Sequence, residues 1–357
     1  MNNENKKLDF SNQEFFIGID VHKKSWKITI RCGKVVLKTY SMNPNPKELF
    51  DYMKRNYPGG EYNSVYEAGF SGYWAHRELE KYGFKNIIVA PTTIPTSGKE
   101  KLTKTDKIDS RKLARELENE SISGIYIPNI LQQEMRSLCR LRYQQIRKQT
   151  RIKNQIKSYL NFYGHELPKN YEMQHWSKRF IKCLEELKFE YAMGSDQLEI
   201  YIEELVLYRA RLLRIIRDLR KYSIEYGLME DIRLLMKIPG VGFITAITLY
   251  TELMEINRFP NVEKLASYVG LVPTIRSSGQ KENVLGISVQ CNRYLRCLLI
   301  ESAWIAIRND PALTLAYKNY LKRMSGQEAI VRIAKKLLNR IHYVWREKKE
   351  YVCSVLK

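Results

Sequence analysis

The spacing of hydrophobic and polar residues changes along the chain and divides it into three regions. From residue 13 to residue 127, short β-branched and aromatic runs alternate with segments of helical spacing. The predicted strands are 15–21, 26–32, 34–40, 64–66 and 86–90, and the predicted helices are 46–57, 71–82 and one that opens near residue 105. This order predicts an α/β fold, a mixed sheet covered by helices.

Residues 129–230 have helical spacing throughout, with breaks expected at 164–168 and at Gly194 and Ser195. Within this region, apolar residues at alternating spacings of four and three form a stripe of about three heptads. The stripe consists of Leu198, Ile202, Leu205, Leu212, Ile216 and Leu219, with Arg209 at the one missing position. It is typical of a long helix packed within its own subunit or of an intermolecular coiled coil, and the spacing leaves both interpretations open.

The last region, residues 231–345, is predicted to be compact and mainly helical, with a polar loop at 273–281 in otherwise apolar surroundings. We therefore expect an α/β domain at 1–128, a helical coiled-coil region at 129–230 and a mainly helical domain, all-α in character, at 231–357.

The charge balance indicates the class of partner. The chain of 357 residues has 60 Lys and Arg against 39 Asp and Glu, a formal net charge of +21, and we expect it to bind a polyanion. Between residues 131 and 160, eight basic residues accompany one acid and are interleaved with Tyr and Gln. This pattern favours nucleic acid over a membrane surface or a merely solvated helix face. The candidate contacts are Arg136, Arg140, Arg147 and Arg151.

Other classes of protein are disfavoured. No apolar run approaches the roughly 20 residues that span a bilayer, and the polar N-terminus lacks a signal-peptide core, so we expect a cytoplasmic protein without membrane association. The six cysteines are scattered without metal-ligand spacing and are expected to be reduced, buried thiols.

Four acidic residues lie at the ends of predicted elements. Asp20 lies at the end of an apolar strand, and Glu67 ends a second strand; if the two strands are neighbours, both carboxylates open on one edge. Asp106 and Asp109 are three residues apart at a helix start, hence on one face and near its positive end. Taken singly, each acid also has a structural explanation as a turn, a cap or a surface group.

Together the four carboxylates would repel one another in the absence of cations. They are suitable oxygen ligands for two Mg²⁺ ions in phosphodiester cleavage. Lys104, Lys107 and Arg111 flank the last pair and would hold a polyanion against the metals.

Two segments of the last region are candidate phosphate contacts. Residues 238–243, IPGVGF, resemble a helix-hairpin-helix turn in which Gly240 and Gly242 let backbone N–H groups approach a phosphate. A tight turn without a ligand explains the spacing equally well. The polar loop contains Ser278, which composition alone would assign to a turn. Basic residues around it could stabilise the transition state of a reacting phosphate, and they are Arg276, Lys281, Arg293 and Arg296.

These motifs together resemble a known family. GIDVHK, YEAG, KTDKIDSRKLA, IPGVGFITA, GLVP-x4-SG and the arginine pair 293 and 296 occur in the order found in DEDD transposases of the insertion-sequence one-ten family, relatives of the pilin-gene invertases. The resemblance extends over residues 15–338 and therefore covers almost the whole chain.

The resemblance implies a RuvC-like, ribonuclease-H-type N-terminal domain in which the four acids hold Mg²⁺ at the scissile phosphate. It also implies a C-terminal transposase domain in which Ser278 attacks DNA and forms a transient phosphoserine link. Further implications are a tetramer of two dimers, with serine and acids from different subunits, and a non-coding bridge RNA that pairs with donor and target DNA. Ser277 stands beside Ser278, and Val289-Gln290-Cys291 departs from the expected basic residue and glycine.

Three functions are compatible with these observations. The first is an RNA-guided DNA recombinase with Mg²⁺ and a serine nucleophile. The second is a metal-only nuclease of the RuvC type, a Holliday junction resolvase or a DNA invertase without an RNA guide. The third is a nucleic-acid-binding protein without catalysis. Replacement of Ser278 separates the first two, because only the first requires a covalent adduct.

Overall fold

The structure, a computed structural model, describes residues 9–95, 106–166, 176–278, 281–288 and 291–353. For residues 106, 107, 274–278 and 281–285 the description covers the backbone alone. The chain forms two compact units, residues 1–127 and 128–357.

The first unit is built on a five-stranded mixed sheet. Its strands are β1 (Glu14–Val21), β2 (Trp26–Cys32), β3 (Val35–Met42), β4 (Glu61–Glu67) and β5 (Lys85–Val89), and its helices are α1 (Pro46–Asn56), α2 (Trp74–Lys81) and α3 (Asp106–Glu118). The strand order is β3-β2-β1-β4-β5. Strands β1, β2 and β3 pair antiparallel, whereas β4 runs parallel to β1 and to β5. This agrees with the predicted order of elements.

Each face of the sheet is covered by helices. Ile17, Ile19 and Ile28 point to one face and pack with Leu49 of α1 and Leu79 of α2.

On the opposite face, Val65 and Val89 pack against Leu113 of α3. There, α3 approaches β1 so closely that a Cβ atom on Gly18 would lie 2.1 Å from the carbonyl oxygen of Ser110. Glycine is therefore required at residue 18 for this packing.

The second unit is mainly helical. Its helices are α4 (Ile130–Phe162), α5 (Lys178–Glu185), α6 (Ala192–Glu225), α7 (Met229–Met236), α8 (Phe243–Leu253), α9 (Val262–Val269), α10 (Arg293–Asn309), α11 (Pro311–Leu321) and α12 (Gly326–Glu347). Two antiparallel strands, β6 (Pro273–Ser278) and β7 (Lys281–Ile287), form a hairpin between α9 and α10. The hairpin corrects the prediction of a polar loop. Its residues lack the apolar alternation that signals a strand.

The heptad stripe packs within the chain. Leu198, Ile202 and Leu205 are buried against Ile156 and Leu160 of α4. Leu219 enters the larger core that α7 to α12 form. Arg209, at the missing heptad position, donates to the backbone carbonyl of Trp176. Packing within one subunit, one of the two interpretations left open by the sequence, therefore accounts for four residues of the stripe, whereas Leu212 and Ile216 are half-buried.

The helix break expected at Gly194 and Ser195 is wrong. Both residues lie inside the first turn of α6, and the break comes before Ala192. Glycine at 194 has a packing reason instead, because a Cβ there would lie 2.6 Å from the ring of Phe189.

Two expectations about composition can be compared with the structure. All six cysteines are free thiols, but the expectation that they are buried is wrong for all except Cys139, since Cys297 and Cys353 are exposed and the other three are half-buried. Across the described part of the chain, the length and apolarity needed to span a bilayer are not met by any helix.

Candidate functional site

The parallel pairing of β1 and β4 sets the first two predicted acids side by side. Ile19 pairs with Tyr66, so Asp20 and Glu67 are the next residues on the two neighbouring strands. Gly18 and Val65 are likewise paired and lie on the face that α3 covers. Because side chains two residues apart share a face of a strand, Asp20 and Glu67 lie on that same face, at the carboxyl ends of their strands.

Two contacts fix the direction of α3 over this face. The hydroxyl of Ser110 lies 2.9 Å from that of Thr29, which pairs with Gly18. Two turns later, Glu118 accepts a 2.6 Å hydrogen bond from Nε of Arg31, the residue paired with Phe16. The helix thus runs antiparallel to β1, and its N-terminus points toward the edge that carries Asp20 and Glu67.

The distances along α3 and β1 are consistent with a site shared by the start of α3 and the end of β1. Asp106, the first residue of α3, precedes Ser110 by four residues, or about 6 Å of helix. Asp20 follows Gly18 by two residues, or about 6.6 Å of strand. Both displacements are toward the same edge, so the backbone of the helix start lies over the end of β1. The positive end of a helix dipole favours carboxylates there.

The side chains of this edge are described only in part. Asp109 is half-buried, whereas the side chains of Asp106 and Lys107, and the whole of Lys104, lie outside the described residues. Among the side chains that are described, no three His, Cys, Asp or Glu residues are close enough to hold a metal ion. Arg111, one turn into α3, donates through Nε to the hydroxyl of Thr39 at 3.3 Å.

Two polar side chains near Asp20 were missed by the sequence analysis. Nε2 of His22 lies 3.0 Å from Oδ2 of Asp20. Lys27 pairs with Asp20 across β1 and β2, and its ammonium group donates to the hydroxyl of Ser41 at 3.0 Å. The spacing of two residues between Asp20 and His22 at a strand end could have identified the first. The second depends on strand register, which the sequence does not show.

The second unit carries the other predicted residues. In the β6–β7 hairpin, Ser278 pairs with Lys281 and Ser277 with Glu282, so both serines lie at the hairpin tip. The side chains of these residues and of Arg276 are outside the described set.

The IPGVGF segment gives its two glycines different roles. Gly240 has a left-handed φ of +85°, and a Cβ there would lie 2.3 Å from the carbonyl oxygen of Ser302 in α10. Its glycine is explained by conformation and packing. Gly242 is the N-cap of α8, and a Cβ there would contact nothing within 4 Å. Of these two glycines, Gly242 is therefore the one that leaves open space at the start of a helix.

The basic residues of α4 divide into two groups. Arg147 and Arg151 are exposed and border a shallow groove of about 700 Å³, together with Lys148, Gln144 and Gln155. Such a surface is chemically suited to a phosphate backbone.

Arg140 differs from these residues because it pairs with a buried carboxylate, although 51% of its own side chain is exposed. Its Nε and Nη2 donate to the fully buried carboxylate of Glu252 at 2.6 and 2.8 Å, and Nδ2 of Asn292 donates to the same carboxylate at 2.9 Å. This ion pair could not be predicted from the charge pattern, in which Arg140 is one of the candidate phosphate contacts. Arg136, on the same helix, is half-buried.

Comparison with known proteins adds independent information. A family model described as "Transposase IS116/IS110/IS902 family" matches residues 232–318, and the DEDD transposase model of IS110 elements matches residues 17–165. A putative transposase of Sinorhizobium fredii is 27% identical over 82% of this chain and 72% of its own length. The transposase for insertion sequence element IS1111A of Coxiella burnetii is 28% identical over 81% and 79%. That for element IS1533 of Leptospira borgpetersenii is 25% identical over 94% and 96%.

The mixed sheet, the helical region after it and the matching DEDD model define the class of protein as a DEDD transposase, an enzyme that binds DNA, cleaves it and transfers strands. Within that class, the chain belongs to the IS110 family of insertion-sequence transposases. The resemblance inferred from the motifs is thereby confirmed.

Proposed function

We propose that this transposase cuts and rejoins DNA at a RuvC-like, ribonuclease-H-type acid site, with a covalent intermediate on Ser278. The observation that carries the proposal is the register of β1 and β4, which supports a shared site for Asp20 and Glu67 on the face beneath α3. Two neighbouring carboxylates on one sheet edge, approached by the start of an Asp-containing helix, match the DEDD order of acids.

The donor set fits a hard divalent cation. Carboxylate oxygens are the ligands that Mg²⁺ prefers, and a pair of ions roughly 3.5–4 Å apart suits phosphodiester cleavage. Asp20, Glu67, Asp106 and Asp109 would hold the ions. When bound, Mg²⁺ would offset the charge of the scissile phosphate and of its attacking and leaving oxygens. The contact between His22 and Asp20 supports a role for the imidazole in orienting this carboxylate, and Lys27, paired with Asp20 on β2, would place an ammonium group at the same edge.

The covalent step is an exchange of phosphate esters. Oγ of Ser278 forms a bond to phosphorus, one P–O bond of the DNA backbone breaks, and the leaving DNA oxygen takes up the proton that the serine loses and so becomes a hydroxyl. Rejoining reverses the exchange, because a DNA hydroxyl attacks the phosphoserine and the serine regains its proton. Arg276, Lys281 and Arg293 would stabilise the charge of the pentacovalent phosphate.

We further propose that a non-coding RNA guides the enzyme and that it acts as a tetramer of two dimers. The exposed basic groove of α4 supports a nucleic-acid contact outside the acid site. Exposed apolar residues on α6, namely Ile200, Leu207 and Leu213, support an interface with another copy. The division into domains at 1–128, 129–230 and 231–357 belongs to the same proposal.

The serine step is tested by trapping the protein on a suicide DNA substrate. We expect wild-type protein and Ser277→Ala to form a covalent adduct with Mg²⁺ present, and Ser278→Ala to form none. Cleavage that persists without an adduct in Ser278→Ala would support the metal-only nuclease. Intact DNA with wild-type protein, despite tight binding, would support the binding protein without catalysis.

The metal site is tested by Mn²⁺ binding, followed by electron paramagnetic resonance. Asp20→Asn and Glu67→Gln should each weaken binding at least tenfold. Glu61→Gln, at the opposite end of β4 and paired with Lys85, is the matched control and should bind normally. Equal binding by all variants would contradict the proposed site.

RNA guidance and assembly need separate measurements. When the protein is co-expressed with the DNA that flanks its gene, we expect light scattering to show a tetramer. The tetramer should retain a structured transcript of the flanking DNA, and removal of that transcript should abolish cleavage. Cleavage by RNA-free protein would contradict guidance while leaving the serine chemistry intact.

A further inference from the structure

Because Ser278 lies at the tip of the β6–β7 hairpin, its position is sensitive to small tilts of the hairpin at its base. Ser278 lies five residues beyond Pro273, or about 17 Å of strand. A tilt of only about 5° at the base would therefore move the tip by about 1.5 Å. Displacements of about 1 Å are enough to cost about 100-fold in rate when reacting groups must be aligned. The base of the hairpin needs a firm attachment.

Arg296 of α10 provides a contact to both ends of that base. Its Nη1 donates to the carbonyl of Ser288, just after β7, at 2.7 Å, and to the carbonyl of Gly270, before β6, at 3.4 Å. The backbone N–H of Ser288 also donates to the carbonyl of Val272 at 3.1 Å and closes the base. A single guanidinium thus bridges the two chain segments from which the hairpin extends.

The anchor of this contact is itself held in place. Asn292, the N-cap of α10, accepts from the N–H of Leu295 and donates to the buried carboxylate of Glu252. Its own N–H donates to the carbonyl of Tyr268 at 2.9 Å. Because Arg296 lies one turn into this capped helix, its guanidinium is presented from a rigid element.

Gly270 makes the approach of the guanidinium possible. It ends α9 with a left-handed φ of +84°. A Cβ at this residue would lie 2.5 Å from atoms of Cys291 and 3.2 Å from Nη1 of Arg296. The absence of a side chain at 270 therefore leaves the space in which Arg296 reaches both carbonyls.

We propose that Arg296 is a positioning residue, which holds the β6–β7 hairpin and so aligns Ser278, rather than a ligand of DNA phosphate. The proposal rests on the role proposed above for Ser278. Arg296 is half-buried, whereas Arg293, at the first position of α10, is exposed. The two arginines, alike in the sequence motif, thus have different roles, and Arg293 is the one available to a phosphate.

The test compares Arg296→Ala and Arg296→Lys with Arg293→Ala in the full chain. Arg296→Ala should bind DNA within about twofold of wild type, form the covalent adduct about 100-fold more slowly at saturating DNA, and exchange the amide hydrogens of 273–287 at least about tenfold faster. Arg296→Lys should retain part of the adduct rate and part of the amide protection, because lysine can reach one of the two carbonyls but cannot bridge both. Added guanidinium ion at low concentration should restore part of the Arg296→Ala rate. Arg293→Ala should instead weaken DNA binding and lower its salt dependence by about one phosphate.

Several outcomes would overturn the proposal. One is weaker DNA binding by Arg296→Ala, with a reduced salt dependence and normal protection of the hairpin, which would make Arg296 a phosphate ligand. Another is a loss of amide protection throughout α8 and α12, which would make it a general determinant of the fold. If wild-type protein forms no adduct, the role of Ser278 fails, but hydrogen exchange and DNA affinity still decide whether Arg296 holds the hairpin.

Discussion

Replacement of Arg140 should destabilise the second unit, because it leaves a charge buried without its main partner. Glu252 is fully buried and accepts two hydrogen bonds from Arg140 and one from Asn292. Removing one partner of a buried ion pair typically costs 3–5 kcal/mol. The Arg140 side chain is 51% exposed, so water can reach the vacated position, and we expect about 2–3 kcal/mol for Arg140→Ala.

Hydrogen exchange measured by mass spectrometry reports this loss locally. A loss of about 2–3 kcal/mol corresponds to roughly 30- to 150-fold faster exchange of the protected amides of α4, α8 and α10. Arg147→Ala is the matched control on the same helix, since Arg147 is exposed in the basic groove. It should leave exchange unchanged within about twofold but weaken nucleic-acid binding and lower its salt dependence by about one phosphate.

A second replacement isolates the buried charge as the cause. In Arg140→Ala/Glu252→Gln a neutral amide replaces the carboxylate, so at least about 1 kcal/mol of the loss should be recovered relative to Arg140→Ala alone. The reasoning is refuted if Arg140→Ala retains native exchange rates while its nucleic-acid affinity falls as that of Arg147→Ala does. Arg140 would then be a phosphate contact, as its charge alone predicted.

Three further predictions follow from close packing. Gly18→Ala should push α3 off the sheet, lower the free energy of unfolding of the first unit by about 3 kcal/mol in urea and abolish Mn²⁺ binding; unchanged stability would contradict the 2.1 Å approach to Ser110. Gly240→Ala should lower the free energy of unfolding of the second unit by about 2–3 kcal/mol, measured by thermal unfolding, whereas Gly242→Ala should change DNA affinity alone. Equal stability of the two variants would argue against the close packing of Gly240 on Ser302. Burial raises the pKa of the Cys139 thiol to about 11, so Ellman's reagent at pH 8 should label the exposed Cys297 and Cys353 at once and Cys139 only in urea; labelling of Cys139 in native protein would show that the core opens.

The order of elements in the first unit could be predicted because each strand is recognisable from its own short stretch of sequence. The β-branched and aromatic runs at 15–21 and 26–32 mark strands, and Asp20 and Glu67 lie where strands end. The direction of α3 could not be predicted in the same way. It depends on contacts such as Thr29 with Ser110, which are 81 residues apart in the sequence. The sequence therefore identified candidate acids without showing how the helix meets them.

The roles of single arginines were beyond the sequence for a related reason. Counting charges treats Arg140, Arg147, Arg293 and Arg296 alike. The partner of Arg140 is 112 residues away, and the partners of Arg296 are backbone carbonyls, which no residue type reveals. Charge composition predicts the class of partner for a whole surface. Charge composition does not predict which guanidinium groups of that surface are hydrogen-bonded to other groups of the protein.

The position of α3 in the chain has a consequence for the order of events during synthesis. The strands β1 to β5 are made first and can bury their apolar face against α1 and α2 while the opposite face is still open. Only when the ribosome has passed residue 118 can α3 close over Gly18 and bring Asp106 and Asp109 to the edge of Asp20 and Glu67. A nascent or truncated chain that lacks this helix would carry Asp20 and Glu67 but neither Asp106 nor Asp109, and so only half of the acids of the proposed metal site.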